Sequence, residues 1–157
     1  MESEVQRFYG NRLRVRICGL CLHDEKILMV NHKGLTAANF WSPPGGGLNF
    51  GETAQECLTR EFEEETRIKI DVKEFLFACE LMHPPLHAIE LFFKVDPLTL
   101  EVRKGVDPEP NAPKIINEVS FVHWKEITMF PKDELHGIFR FTDHPLKVVD
   151  LRGYFKL

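Results

Sequence analysis

Apolar and polar residues alternate through the first part of the chain. Leu13 to Leu22 reads as a strand, and Lys26 to Val30 resumes it after His23-Asp24-Glu25, which predicts a β-hairpin. Residues 1–11 read as a short lead-in. Residues 31–40 read as a loop running into Phe40-Trp41-Ser42-Pro43-Pro44-Gly45-Gly46-Gly47, where prolines fix the entry and glycines allow close backbone approach. The period then changes. Thr53 followed by Glu56 is a capping-box pattern, with Thr53 as N-cap of a helix from Ala54 to about Thr66. Glu74 to Cys79 reads as a strand, His83-Pro84-Pro85 as a turn, and His87 to Val95 as a further strand. Residues 96–117 carry VDPEPNAPK and read as a long surface loop, a class that often serves as a lid or binding loop. Glu118 to Trp124 is the next strand, and Pro131 opens a short helix. The pattern leaves 145–157 as a short element of undetermined type. Strands on both sides of a central helix, with a second helix near the end, predict an α/β sandwich; no repeat or linker divides residues 1–157, which read as one domain.

The central helix carries an anomaly. At ~100° per residue, Cys57, Leu58 and Phe62 fall within one apolar arc, and Glu61 and Glu65 fall inside the same arc. Glu64 lies at its edge, while Glu56 and Glu63 point elsewhere. A solvated face accounts for Glu56 and Glu63 but not for the inward pair. Carboxylates at i, i+3 and i+4 also repel one another, by a few tenths of a kcal/mol per pair. A bound cation removes both difficulties, and hard oxygen donors on one helix face suit Mg²⁺ or Mn²⁺.

Composition narrows the partners. The 157 residues are 43% hydrophobic and 28% charged, with a formal charge of −4, which is ordinary globular material. There is no basic tail, so a nucleic-acid polymer is not the expected partner. No apolar run approaches the ~20 residues of a membrane span. MESEVQRFYG is too acidic and polar for a signal peptide. Cys18 and Cys21 form a CxxC inside an apolar run with no second pair. With Cys57 and Cys79 they read as buried free thiols, which fits a reducing cytoplasm. Arg12, Arg14 and Arg16 share one strand face, either a solvated face or a basic strip for a substrate phosphate or base. Phe40 or Trp41 suits either stacking on a base or packing in the core.

Gly46, five residues, Glu52, seven residues, then Arg60-Glu61-Phe62-x-Glu64-Glu65 and a closing Ile68 resemble the box of the Nudix hydrolases. Trp41-x-x-Pro44-Gly45-Gly46 is similar to the segment just ahead of that box in many members. One position departs: the family usually has glycine, ending the helix left-handed, where this chain has Arg67.

The resemblance implies a mixed sheet between helices, an α/β/α sandwich. It also implies hydrolysis of a nucleoside diphosphate linked to another moiety, using divalent metal and water. Glu61, Glu64 and Glu65 would be metal ligands, and Glu52 a further ligand or a group orienting one. Arg60 would complete the catalytic set by orienting glutamates, with Gly45 and Gly46 as a wall of the site. The general base is left open between a box glutamate and a later residue; Glu118, where the long loop re-enters a strand, is the outside candidate. Pro84, 16 residues beyond Ile68, matches a proline associated in the family with ADP-ribose and nucleoside-diphosphate-sugar substrates. Alternatives are a MutT-like nucleoside triphosphate pyrophosphohydrolase, a nucleotide sensor without hydrolysis, and an isoprenoid diphosphate isomerase with a catalytic cysteine such as Cys79. Many relatives are dimers, so a homodimer is the expected assembly.

Overall fold

The computed structural model describes residues 4–33, 38–105 and 116–157. The first strand, β1 (Arg12–His23), is buried on both faces from Ile17 to Cys21, so strict alternation gives way to a continuous apolar run there. It turns through Asp24 and Glu25, both at positive φ, into β2 (Lys26–His32), and the predicted hairpin forms with Leu22 opposite Ile27. The two strands then diverge. β3 (Phe40–Ser42) pairs with β2 and β4 (Gly45–Gly47) pairs with β1, so one short stretch of chain fills the fork. The helix α2 (Ala54–Thr66) follows.

Next come β5 (Ile70–His83) and β6 (Leu86–Pro97), longer than the alternation predicts and joined through the Pro84-Pro85 turn, whose peptide bond is cis. β6 lies antiparallel to β5 and parallel to β1, from Arg12↔Leu86 to Cys21↔Val95. β7 (Ile116–His123) covers the outer edge of β2, and β8 (Gly153–Lys156) closes the far edge alongside β5, in parallel. The sheet is therefore mixed, in the order β3-β2-β1-β6-β5-β8. The centre of the expected loop, 106–115, lies outside the described residues.

Two apolar clusters flank the sheet. One joins Cys57, Leu58 and Phe62 of α2 to Ile17, Cys21, Leu28, Ile68 and Val95. The other lies on the opposite face and joins Cys18, Leu20, Met29, Trp41, Phe77 and Phe92 to Ile127, Ile138 and Val148. This second face is where expectation and structure differ. No long helix covers it among the described residues: a single turn α3 (Trp124–Ile127) is followed by 3-10 turns at Lys132–Glu134, Gly137–Phe141 and Pro145–Asp150. Their capping is unusual. The Nδ1 atoms of His123, His136 and His144 each accept a backbone N–H two residues on, at 3.1 Å. Three histidines left unassigned by sequence thus serve as N-caps, a task more often given to Ser, Thr, Asp or Asn. The lead-in also differs, since α1 (Glu4–Tyr9) is helical.

The departure at Arg67 does not change how α2 ends. Arg67 sits at φ 62°, ψ 15°, and its N–H reaches the Glu63 carbonyl at 3.1 Å. A side chain is thus held in the left-handed region that glycine occupies without penalty. Arg67→Gly is expected to stabilise the fold by ~1 kcal/mol, raising Tm by about 2–4 °C in a thermal melt. All four cysteines are free and buried, as expected. Among the described residues, no helix is long and apolar enough to cross a membrane.

Candidate active site

Local chemistry sets the start of α2. The Glu56 N–H donates to Thr53 Oγ1 at 3.1 Å, and the Thr53 N–H donates to Glu56 Oε2 at 3.0 Å, which completes the predicted capping box. Just before it, Gly51 takes φ 87° in a tight turn, and Glu52 Oε1 accepts from the Asn49 N–H at 2.9 Å. Glu52 is thereby set beside the first turns of the helix.

Arg60 organises the acidic groups. Its Nε and Nη2 grip the two oxygens of Glu52 at 3.1 and 2.6 Å. Nη1 reaches Glu61 at 2.9 Å and Glu64 at 3.3 Å, and Nη2 also donates to the Gly47 carbonyl at 3.2 Å. A planar guanidinium with five donors suits this fourfold task; an ammonium would not. The Arg60 hydrogen bonds hold the Glu52 carboxyl at about 2, below its ordinary 4.5. Glu61 is moved the other way: burial raises its pKa, the nearby Glu64 adds to this, and Arg60 opposes it. A carboxylate uncomfortable in its own charge is what the inward helix position predicts.

The Glu52 shift has a consequence for acid stability. Because folding lowers that pKa, its contribution is present above about pH 4.5 and is lost as the pH falls toward 2. Melting temperature is expected to fall more steeply over that window in the native chain than in Glu52→Gln.

The glycine strand β4 lies against the helix. A Cβ at Gly46 would overlap the Glu61 carboxylate, so a side chain there would push that carboxylate out of its present position. The Gly45 N–H donates to Glu65 Oε1 at 2.9 Å. Thus Glu52, Arg60, Glu61, Glu64, Glu65, Gly45 and Gly46 are brought together, although the acids have different partners. Among the described residues, no three His, Cys, Asp or Glu side chains form a ready-made ligand cage.

The remaining candidates are placed differently. Arg12, Arg14 and Arg16 share a face, as strand geometry requires, but it is the face opposite α2. Arg12 lies over the Phe8 ring at 5.7 Å and Arg14 over Tyr9 at 4.3 Å. Burial, then Arg16, lowers Arg14 to about 10. Arg16 is committed to an ion pair with Glu90. Phe40 is half-buried, with its ring 5.5 Å from His32 and 6.2 Å from His136, while Trp41 is core, stacked on Phe130 at 5.0 Å. Glu118 is exposed on β7 opposite Asn31 and alternates onto the face of Val122, away from Val119 and Phe121, which pack toward the α2 cluster. Cys79 is fully buried and its thiol is pushed up to about 12 by that burial, an environment that suppresses a nucleophile.

Sequence reasoning missed Glu90 and His136. Glu90 left one trace, an acid between Ala88 and Phe92 in an apolar strand; His136 left none.

Comparison with known proteins gives the family. The model of the NUDIX domain matches residues 10–144, and the chain belongs to that family. An ADP-ribose pyrophosphatase of Methanocaldococcus jannaschii is 32% identical over 95 residues, 59% of this chain and 56% of that protein. An RNA pyrophosphohydrolase of Erythrobacter litoralis is 36% identical over 67 residues, 41% of each chain. The matched stretches thus span about half of these relatives' own lengths. A MutT NUDIX hydrolase structure from Burkholderia pseudomallei superposes with a TM-score of 0.66 at 19% identity, covering 88% of this chain and 97% of that one, which bears on the fold alone.

Proposed function

We propose that this chain is a divalent-metal-dependent pyrophosphohydrolase of a small nucleotide, cutting a nucleoside diphosphate linked to a second moiety. What supports the reading is the acidic run of α2 held in place: Arg60 reaches both Glu61 and Glu64, and Glu65 accepts from the Gly45 N–H of the side-chain-free strand β4. The donor set fits a hard cation, Mg²⁺ or Mn²⁺: all oxygen, part-buried, with Glu61 carrying a raised pKa that a cation would relieve. Glu61, Glu64 and Glu65 would hold it, with Glu52 fixed nearby by Arg60. Once bound, such a cation neutralises diphosphate charge and activates water for in-line attack.

The chain's own residues supply the rest. Arg60 keeps the carboxylates oriented, since its guanidinium already bridges Glu52, Glu61 and Glu64. Gly45 and Gly46, as a wall of the site, leave room for the Glu65 and Glu61 carboxylates to lie against the β4 backbone. Arg12 and Arg14 offer positive charge on the other side of β4, and Phe40 an aromatic face at its rim. The base is a box glutamate or, as the outside candidate, Glu118. The substrate class favoured is ADP-ribose or a related sugar nucleotide, supported by Pro84 at its turn and by the archaeal relative's name. A cytoplasmic homodimer acting on small molecules, each protomer one domain over 1–157, completes the proposal.

The test is a panel of ADP-ribose, sugar nucleotides, dinucleoside polyphosphates and nucleoside triphosphates, each with Mg²⁺, Mn²⁺ or EDTA, read as phosphate-containing product. Metal-dependent cleavage of the sugar-nucleotide class is the expected result, and preference for triphosphates would move the chain to the MutT-like class. Detectable nucleotide binding with no product under any metal would replace the enzyme with a sensor. In parallel, Mn²⁺ at a hundred times its Kd is expected to stabilise the fold by about 2.7 kcal/mol.

A further inference from the structure

Glu90 belongs to none of the motifs above, yet it is the one acidic side chain among the described residues that is fully buried, at 2% exposure. It stands in β6 on the face of Ala88 and Phe92. A carboxylate there is strongly disfavoured unless paired. Three groups surround it. Arg16 Nη1 forms an ion pair with Oε2, His136 Nε2 lies 2.7 Å from Oε1, and the Cys18 thiol lies 3.6 Å from Oε2. Because His136 Nδ1 accepts the Ile138 N–H, the ring proton sits on Nε2 and is donated to Glu90. Burial would raise the Glu90 pKa, but His136 and Arg16 together hold it well below the usual range.

A bridge that merely joined two strands would need no more than this. But β1 and β6 already pair from Arg12↔Leu86 to Cys21↔Val95, and Arg16 and Glu90 are register partners within that ladder. What the charge pair adds is direction. With Nη1 held by Glu90, Nη2 reaches the Gly45 carbonyl at 3.4 Å. The N–H of the same residue donates to Glu65. Gly45 has no slack to absorb a shift: a Cβ there would overlap the Ile17 carbonyl and press on Cys18. One glycine, wedged against β1, thus links the buried ion pair to a box glutamate across the sheet.

We infer that Glu90 is a positioning residue for the box: through Arg16 it holds the Gly45 carbonyl, and through Gly45 it aims the N–H that orients Glu65. The role in turnover rests on the reading of Glu65 as a metal ligand. The positional claim does not, and it is tested separately.

The decisive variant is Arg16→Lys, which keeps a cation for Glu90 but cannot also grip Gly45. Glu90→Gln is the direct variant, and Arg16→Lys still decides the matter if Glu90→Gln fails to fold. Amide hydrogen exchange by NMR is compared at Gly45 and along the β1–β6 ladder. In Arg16→Lys, Gly45 exchange is expected to accelerate about tenfold or more while ladder amides stay within about twofold. Equal acceleration at both places, or none at Gly45, would overturn the proposal in favour of a purely structural bridge. On the best substrate of the panel, kcat is expected to fall about 10- to 100-fold at saturating metal, with KM within about twofold. A loss confined to KM would make Arg16 a substrate contact and also overturn it. If the native chain hydrolyses nothing, the proposed function fails, and the exchange comparison still decides the positional claim.

Discussion

Glu65→Gln and Glu64→Gln are each expected to lower kcat by about a hundredfold or more, which at 1.36 kcal/mol per decade is ~2.7 kcal/mol of barrier. Gln keeps the size and one carbonyl oxygen of Glu but removes the charge that would hold a divalent cation. The local structure should survive. In Glu65→Gln the neutral amide oxygen still accepts from the Gly45 N–H, and removing one of two neighbouring carboxylates relieves repulsion along α2. Circular dichroism and thermal melts should therefore remain close to the native chain while metal-dependent turnover collapses. Turnover unchanged in both variants would remove the box from the chemistry and with it the proposed function. The same pair of variants should also lose most of the Mn²⁺-dependent rise in Tm, a check that needs no substrate.

Phe62→Ala is expected to cost about 3–5 kcal/mol of stability, read from chemical denaturation. Phe62 is fully buried at the centre of the cluster that fastens α2 to the sheet, among Ile17, Leu28, Leu58 and Val95. Its ring occupies the space that a side chain on Gly19 would need. Truncation leaves a cavity whose walls are a sheet and a helix, neither of which collapses easily. For a chain of this length the loss corresponds to a Tm lower by about 10 °C. Because Phe62 stands between Glu61 and Glu64 in sequence, loosening it also loosens the acids. Activity should fall at temperatures where the variant is still folded.

These three residues show how far a one-dimensional reading reaches. Phe62 and the glutamates belong to one local pattern, a 3.6-residue period with acids in the apolar arc. A capping box starts that helix. Such features depend on neighbours within a turn or two, so they are legible from the chain alone. The hairpin, the Pro84-Pro85 turn and the burial of the four cysteines were legible for the same reason. The layer opposite α2 was not. A period of 3.6 is read from long helices, and the C-terminal segment instead packs as one short α-turn and 3-10 turns whose caps are histidines.

What the sequence by itself determined was the acidic helix, its glycine wall and the mixed α/β class, because spacing along the chain is enough to place those groups together. What only the tertiary structure decided was how the arginine face is used. Alternation put Arg12, Arg14 and Arg16 on one side of β1, but nothing local tells which of them meets a buried acid. Glu90 is 74 residues from Arg16 and His136 is 46 residues further on, and they converge only because β6 lies parallel to β1 and the last segment folds back across the sheet. A buried ion pair is a property of that convergence: its partners are ordinary surface residues until the fold withdraws water from them.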